Sequence, residues 1–310
     1  MFFCTLLILN GGDFAHILSV KPIETIKKEV ASPKQPYLNV TDLSFGVAKV
    51  NLNCPVGFIV VPGSATYNTK DFCVMKYEAK LDNNSKIPVS HAAGDPADLM
   101  SQDTAEEYSL NVASCVGCHL ITESEWLTIA QNVMSVPVNW SGGVVGSGYI
   151  YSGHSDSDPY YSQAASENDS DGYFNTNNKE SSNQRRTLAL TNGEVIWDFA
   201  GNVWEWTSGQ SVNHPGVNGN TDMWYEWKIV TTLGDLSPNP TPAFAMPEAN
   251  NWTTKQGLGL LVSHADDKTL VGLMRGGYWG GGLVAGEAGI FALDSDIEPS
   301  VTMAGFRVAR

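Results

Sequence analysis

Residues 196–209 read IWDFAGNVWEWTSG. Trp204 and Trp206 bracket Glu205, and Gly201-Asn202 precedes them where a tight turn is expected. The runs 194–199 and 203–206 on either side have the composition of strands. Asn202 and Glu205, with the Val203 carbonyl between them, offer the oxygen types that a hard divalent cation takes. The same residues also suit buried aromatics packed around a turn.

Working outward, the most regular element lies upstream. In LITESEWLTIA (120–130), Thr122 and Glu125 have capping-box spacing, and Trp126, Ile129, Ala130 and Val133 recur at helical intervals. Earlier still, two short β-like runs at 58–61 and 72–77 are joined by a polar turn. Residues 151–184 are dominated by Ser, Asp and Asn, as in a functional or loosely ordered loop. The region 209–269 reads as long loops around short elements, and 273–310 alternates small strands and turns. Short strands, few helices and long loops make an α+β domain over 41–310. Residues 1–40 read as a leader and linker: MFFCTLLILN is either the remnant of a signal or pilin-type segment or a strand.

Composition limits the function. With 33 acidic and 18 basic residues the formal charge is −15, which excludes nucleic acid as an expected partner because phosphate binding needs a basic surface. No stretch reaches the roughly 20 apolar residues of a membrane span. Among the five cysteines (Cys4, Cys54, Cys73, Cys115, Cys118), a disulfide within the last four suits an exported chain, and spacing does not give the pairing. CVGCH (115–119) has the formal spacing of a haem attachment site. It runs directly into the capped helix, so a turn with free or disulfide-bonded cysteines is expected and haem is not. ENDSDG (167–172) half-matches a calcium loop, but Asn178 stands where a bidentate Glu is required, so a solvated polar loop is expected. His154, His214 and His264 lack ligand spacing and read as core or solvated histidines.

Four motifs in this order, LITESEWLTIA, WDFAGNVWEWTSG, MRGGYW and GFRVAR, resemble the formylglycine-generating-enzyme branch of the C-type lectin fold over roughly 54–310. The resemblance implies a structural calcium at Asn202, the Val203 carbonyl and Glu205. It also implies a copper site on two cysteines beyond the Arg-Gly-Gly motif. Counted from Arg275, those two positions are Gly281 and Gly286, which have no side chain to bind a metal. Copper is therefore not expected, and the helical histidine pair of the family's iron branch is missing too.

The stretch from Arg275 to Arg307 also resembles the variable region of diversity-generating retroelement target proteins. In that family, template adenines are randomised, so Asn codons become NNC or NNT. Tyr278, Gly280, Gly281, Leu283, Val284, Asp294, Asp296, Ile297, Val301 and Ala304 all fall in the set such codons reach. Met303 does not. Trp279, Phe291, Leu293 and Phe306 read as packing frame, and Arg275 and Arg307 as ties for loops. The resemblance implies a non-enzymatic, extracellular or cell-surface protein whose C-terminal surface binds a protein or glycan on another cell or virus. Two alternatives remain at this point: a metal-dependent oxidase-like enzyme, and an adhesin of fixed specificity.

Overall fold

The capping box at Thr122 forms. The Thr122 hydroxyl accepts from the Glu125 amide, and the Glu125 carboxylate accepts from the Thr122 amide, so two otherwise orphaned donors are satisfied. From that start the helix Glu123–Met134 buries Trp126, Leu127, Ile129, Ala130 and Val133. It is the second of three helices among the described residues, which are 52–82, 85–174, 184–211, 223–227, 236–237, 253–263, 270–281, 288–296 and 303–310 of the computed structural model. The expected leader and the boundary at 41 lie outside them.

Two sheets carry the fold. The smaller has the order β1 (Phe58–Val61), β2 (Phe72–Met75), β15 (Val308–Ala309), β5 (His119–Leu120). The larger runs β10 (Leu236–Ser237), β8 (Trp204–Ser211), β12 (Val271–Gly276), β13 (Gly289–Asp296), β11 (Leu261–Ser263), β9 (Met223–Tyr225). A further strand, β14 (Ala304–Phe306), pairs with β8 in parallel. Two hairpins complete the strands, β3 (Lys80–Leu81) with β4 (Pro88–Val89) and β6 (Thr187–Ala189) with β7 (Val195–Trp197). The short helices are α1 (Gln102–Ser109) and α3 (Asp171–Phe174), flanking α2 (Glu123–Met134) in the chain. Few helices and many short strands make the α+β class.

Alternation along the strands divides the core in two. Leu273, Phe291 and Leu293 face the cluster under α2, where Trp126 stacks on Phe199 at 4.0 Å and donates its indole N–H to the Ile290 carbonyl. Met274 and Ala292 face the other way, onto Trp204, Trp206 and Phe306. The loop after Tyr151 is better ordered than its composition suggests: Ser152, His154 and Ser155 are buried. The His154 ring nitrogen Nε2 lies 2.8 Å from the Pro159 carbonyl, so this is a core histidine. Asp169 of the segment expected to be a solvated polar loop pairs with Lys76 and accepts from the Trp197 indole, so that segment is pinned to the core.

Cys54 bonds to Cys73 and Cys115 to Cys118. His119, next in the chain, reaches the Glu125 carboxylate at 3.1 Å. That hydrogen bond holds the His119 pKa above its ordinary value against the opposing pull of burial. For Glu125, burial pushes upward, but His119 and the capping donors outweigh it and hold the carboxyl low. A raised histidine pKa stabilises the fold fully below the unfolded value of about 6.5, and the contribution is lost as pH rises through the folded value. The melting temperature should therefore carry a component that falls on going from about pH 6.5 upward, absent in His119→Gln. Melts of the two proteins across that range check it; identical profiles would remove the pair's role.

Candidate ligand-binding surface

The WEW turn forms as expected, with positive φ at Gly201 (83°) and Asn202 (68°). Asn is among the few non-Gly residues that tolerate this region. Backbone hydrogen bonds then lock three segments around the turn. The Gly201 amide donates to Gly276, the Asn202 amide to His154, and the Trp279 amide to the Asn202 carbonyl. Gly276 and Gly277 also have positive φ (90° and 82°), so the Arg-Gly-Gly motif needs its glycines to make this bend.

Under the turn lies a set of buried ion pairs joining the motifs. Arg307 of the C-terminal motif forks onto both oxygens of Glu205 at 3.0 and 2.7 Å and donates to the Met75 and Trp197 carbonyls. Arg275 forks onto Glu123 at the start of α2 and donates to the Phe291 carbonyl. Arg186 forks onto Asp198 at 2.7 Å through each of two nitrogens and donates to the Gln163 and Ala164 carbonyls. Planar guanidinium forks suit such multidentate burial. Glu78 accepts from the Asn202 side-chain amide and the Val203 backbone. Burial, with Asp198 and Glu205 nearby, pushes the Glu78 pKa well up; burial draws that of neighbouring Lys80 down.

These contacts bear on the calcium site implied for Asn202, Val203 and Glu205. The Asn202 side-chain oxygen Oδ1 accepts from the Gln163 backbone amide, and both Glu205 oxygens accept from Arg307. The Asn202 and Glu205 side-chain oxygens thus already accept from protein donors, and these two side chains fit a place in the scaffold better than one as calcium ligands. Glu205 is the counter-ion of Arg307, and Asn202 is a turn residue braced by Glu78. Among the described residues no three His, Cys, Asp or Glu side chains gather as a metal-ligand group. Copper does not fit: Gly281 has no donor, and Gly286 lies outside the described residues.

The ten candidate contact residues divide into three groups. Tyr278, Gly280, Asp294 and Asp296 are partly exposed and surround buried Trp279, Leu293 and Ser295. Leu283, Val284, Ile297 and Val301 lie outside the described residues. Gly281 and Ala304 are buried, against the expectation that they face solvent. Ala304 sits in β14 opposite Trp204, in the second core cluster, so it belongs to the frame.

Aromatic rings crowd this end of the large sheet. The Tyr278 ring lies nearly parallel to that of Trp204 (6.5 Å between centroids), and Trp204 nearly parallel to Trp224 (6.4 Å). Exposed Tyr160 meets Trp279 edge-on at 4.2 Å. A Cβ at Gly280 would press on the Tyr278 ring, so the sizes allowed at these two positions are coupled. The loop bearing Tyr160 is fixed from behind, since the Ser157 amide donates to the Trp279 carbonyl. Tyr160, Trp224, Glu78 and Arg186, the partner of Asp198, were not legible as parts of this region. They lie in segments without a motif, and only the fold brings them here.

The model of the sulfatase-modifying factor enzyme 1-like domain matches residues 8–310. The chain belongs to that family. Its fold is the C-type-lectin-like fold of this formylglycine-generating-enzyme type, as the motif order implied. No curated protein matches the chain. In this member of the sulfatase-modifying factor family, the RGG, WEW and GFR motifs serve as buried ties of the scaffold.

Proposed function

We propose that this sulfatase-modifying factor family member is a non-enzymatic binding protein whose C-terminal surface, within 275–307, is diversified by a retroelement. The observation that carries the reading is the division of that segment. Arg275, Trp279, Phe291, Leu293, Phe306 and Arg307 are buried, while Tyr278, Gly280, Asp294 and Asp296 between them remain partly open. Binding residues set on a rigid scaffold can change without threatening the core. Glycine at the positions corresponding to the family's copper-binding cysteines favours binding over oxidase chemistry. The ligand class is a protein or glycan on another cell or a virus, and two disulfides suit an extracellular or cell-surface setting. Among the described residues no helix is long and apolar enough to cross a membrane.

The test is a labelled protein screened on glycan and cell-surface-protein arrays beside Tyr278→Ser and Asp294→Ala. The variants should bind a different subset, by at least about tenfold in relative signal, equivalent to 1.4 kcal/mol, while keeping the wild-type circular dichroism. An unchanged binding pattern would count against this surface as the ligand site.

A further inference from the structure

The Cys115–Cys118 disulfide differs in setting from Cys54–Cys73. Cys73 lies in β2, and its amide and carbonyl pair with Arg310. Its backbone is thus held between β1 and the C-terminal residue. Cys115 and Cys118 instead close a four-residue turn between α1 and β5. Val116 at its tip is 89% exposed. Gly117 has φ +85°, and a Cβ there would meet nothing within 4 Å, so solvent reaches the turn. Cys115 is half-buried and Cys118 nearly fully buried, as Cys54 and Cys73 also are, so the exposed turn and not the burial of the cysteines separates the two disulfides. His119 clasps the same turn: Nδ1 lies 2.9 Å from the Gly117 carbonyl and Nε2 lies 3.1 Å from Glu125. Both partners are acceptors, so the doubly protonated ring satisfies them together, and it sets a positive charge one residue from Cys118.

From this geometry we infer that Cys115–Cys118 is a thiol–disulfide exchange site, with a dithiol as the reacting partner. One thiolate of the dithiol attacks the Cys115 sulfur. The S–S bond breaks, and its electron pair leaves on Cys118, which takes up a proton. The second thiol of the partner, losing its proton, attacks its own sulfur in the mixed disulfide and releases Cys115 as a thiolate that is then protonated. The protein disulfide is reduced by two electrons and the dithiol is oxidised to its cyclic disulfide. Attack falls on Cys115 because it is the less buried of the two cysteines, which makes Cys118 the leaving group. The turn can then open without breaking a strand pairing, whereas Cys73 stays held by its backbone pairings, which keep its sulfur beside Cys54 and favour reclosure.

The experiment equilibrates the full chain in dithiothreitol buffers of graded reduced-to-oxidised ratio, followed by acid quench, alkylation and peptide mass spectrometry. Cys115 and Cys118 should become alkylated together at a ratio at least tenfold less reducing than the one that opens Cys54–Cys73, a gap of about 30 mV. A second arm uses Cys118→Ser, whose free Cys115 should form a mixed disulfide with oxidised glutathione under native conditions. Opening of both disulfides at one ratio, earlier opening of Cys54–Cys73, or a Cys115 inert to glutathione in the variant would overturn the assignment.

Discussion

Glu205→Ala should destabilise the protein by about 3–5 kcal/mol, the usual effect of removing one member of a buried ion pair. The variant leaves the Arg307 guanidinium fully buried, with the Met75 and Trp197 carbonyls as its remaining acceptors. Uncompensated charge in that setting dominates the loss. Burial raises the Glu205 pKa and the Arg307 charge opposes it, so the pair holds its charge only as a unit. Replacing both partners by methionine should therefore recover a large part of the loss, since a packed apolar pair is often no worse than a buried ionic one. Thermal and urea melts of the single and double variants measure this. Added calcium should leave the wild-type melting temperature unchanged, because Arg307 already holds both Glu205 oxygens. A calcium-dependent rise that Glu205→Ala abolishes would restore the motif as a metal site.

The second large effect falls on the packing frame. Phe291→Ala should cost about 3–5 kcal/mol, because a buried aromatic leaves both lost transfer energy and a cavity. Phe291 is fully buried in β13 within the cluster that holds Trp126, and its carbonyl also accepts from Arg275. Five residues along the same strand, Asp296→Ala should change stability by no more than about 0.5 kcal/mol, as surface positions do. The two variants share a strand and differ in the face they present, so paired melts isolate burial as the cause. Equal losses would mean that the segment is uniform core with no surface free to vary.

The sequence exposed some parts of this molecule and hid others, for physical reasons. Helix α2 was legible because its cap and its apolar period both lie within a dozen residues. Helix α1 was not, because the side it buries presents Gln102, Ala105 and Ser109. Gln102 earns burial there through its amide, which donates to the Thr207 and Gly209 carbonyls, and no hydropathy pattern signals that. The Gly201-Asn202 turn was legible from its residue types, whereas the partner of Glu205 was not. A carboxylate that meets calcium and one that meets a guanidinium are the same letter, and Arg307 lies 102 residues away. Ala304 failed for a related reason: a small residue between Met303 and Gly305 suits surface or core equally, and its pairing with Trp204 decides it. The frame residues Trp279, Phe291, Leu293 and Phe306 were read correctly because large aromatic and aliphatic groups have few places to go but inside.

The proposal that this surface is diversified can be tested by sequencing codons 275–307, with the flanking DNA, from many descendants of one clone. The expected result is a nearby near-duplicate of these codons beside a reverse-transcriptase gene, differing from them only at adenines. Substitutions among the descendants should gather at 278, 280, 283, 284, 294, 296, 297 and 301, and spare Arg275, Trp279, Phe291, Leu293, Phe306 and Arg307. No duplicate, or changes spread evenly across the buried frame and the open positions, would contradict it.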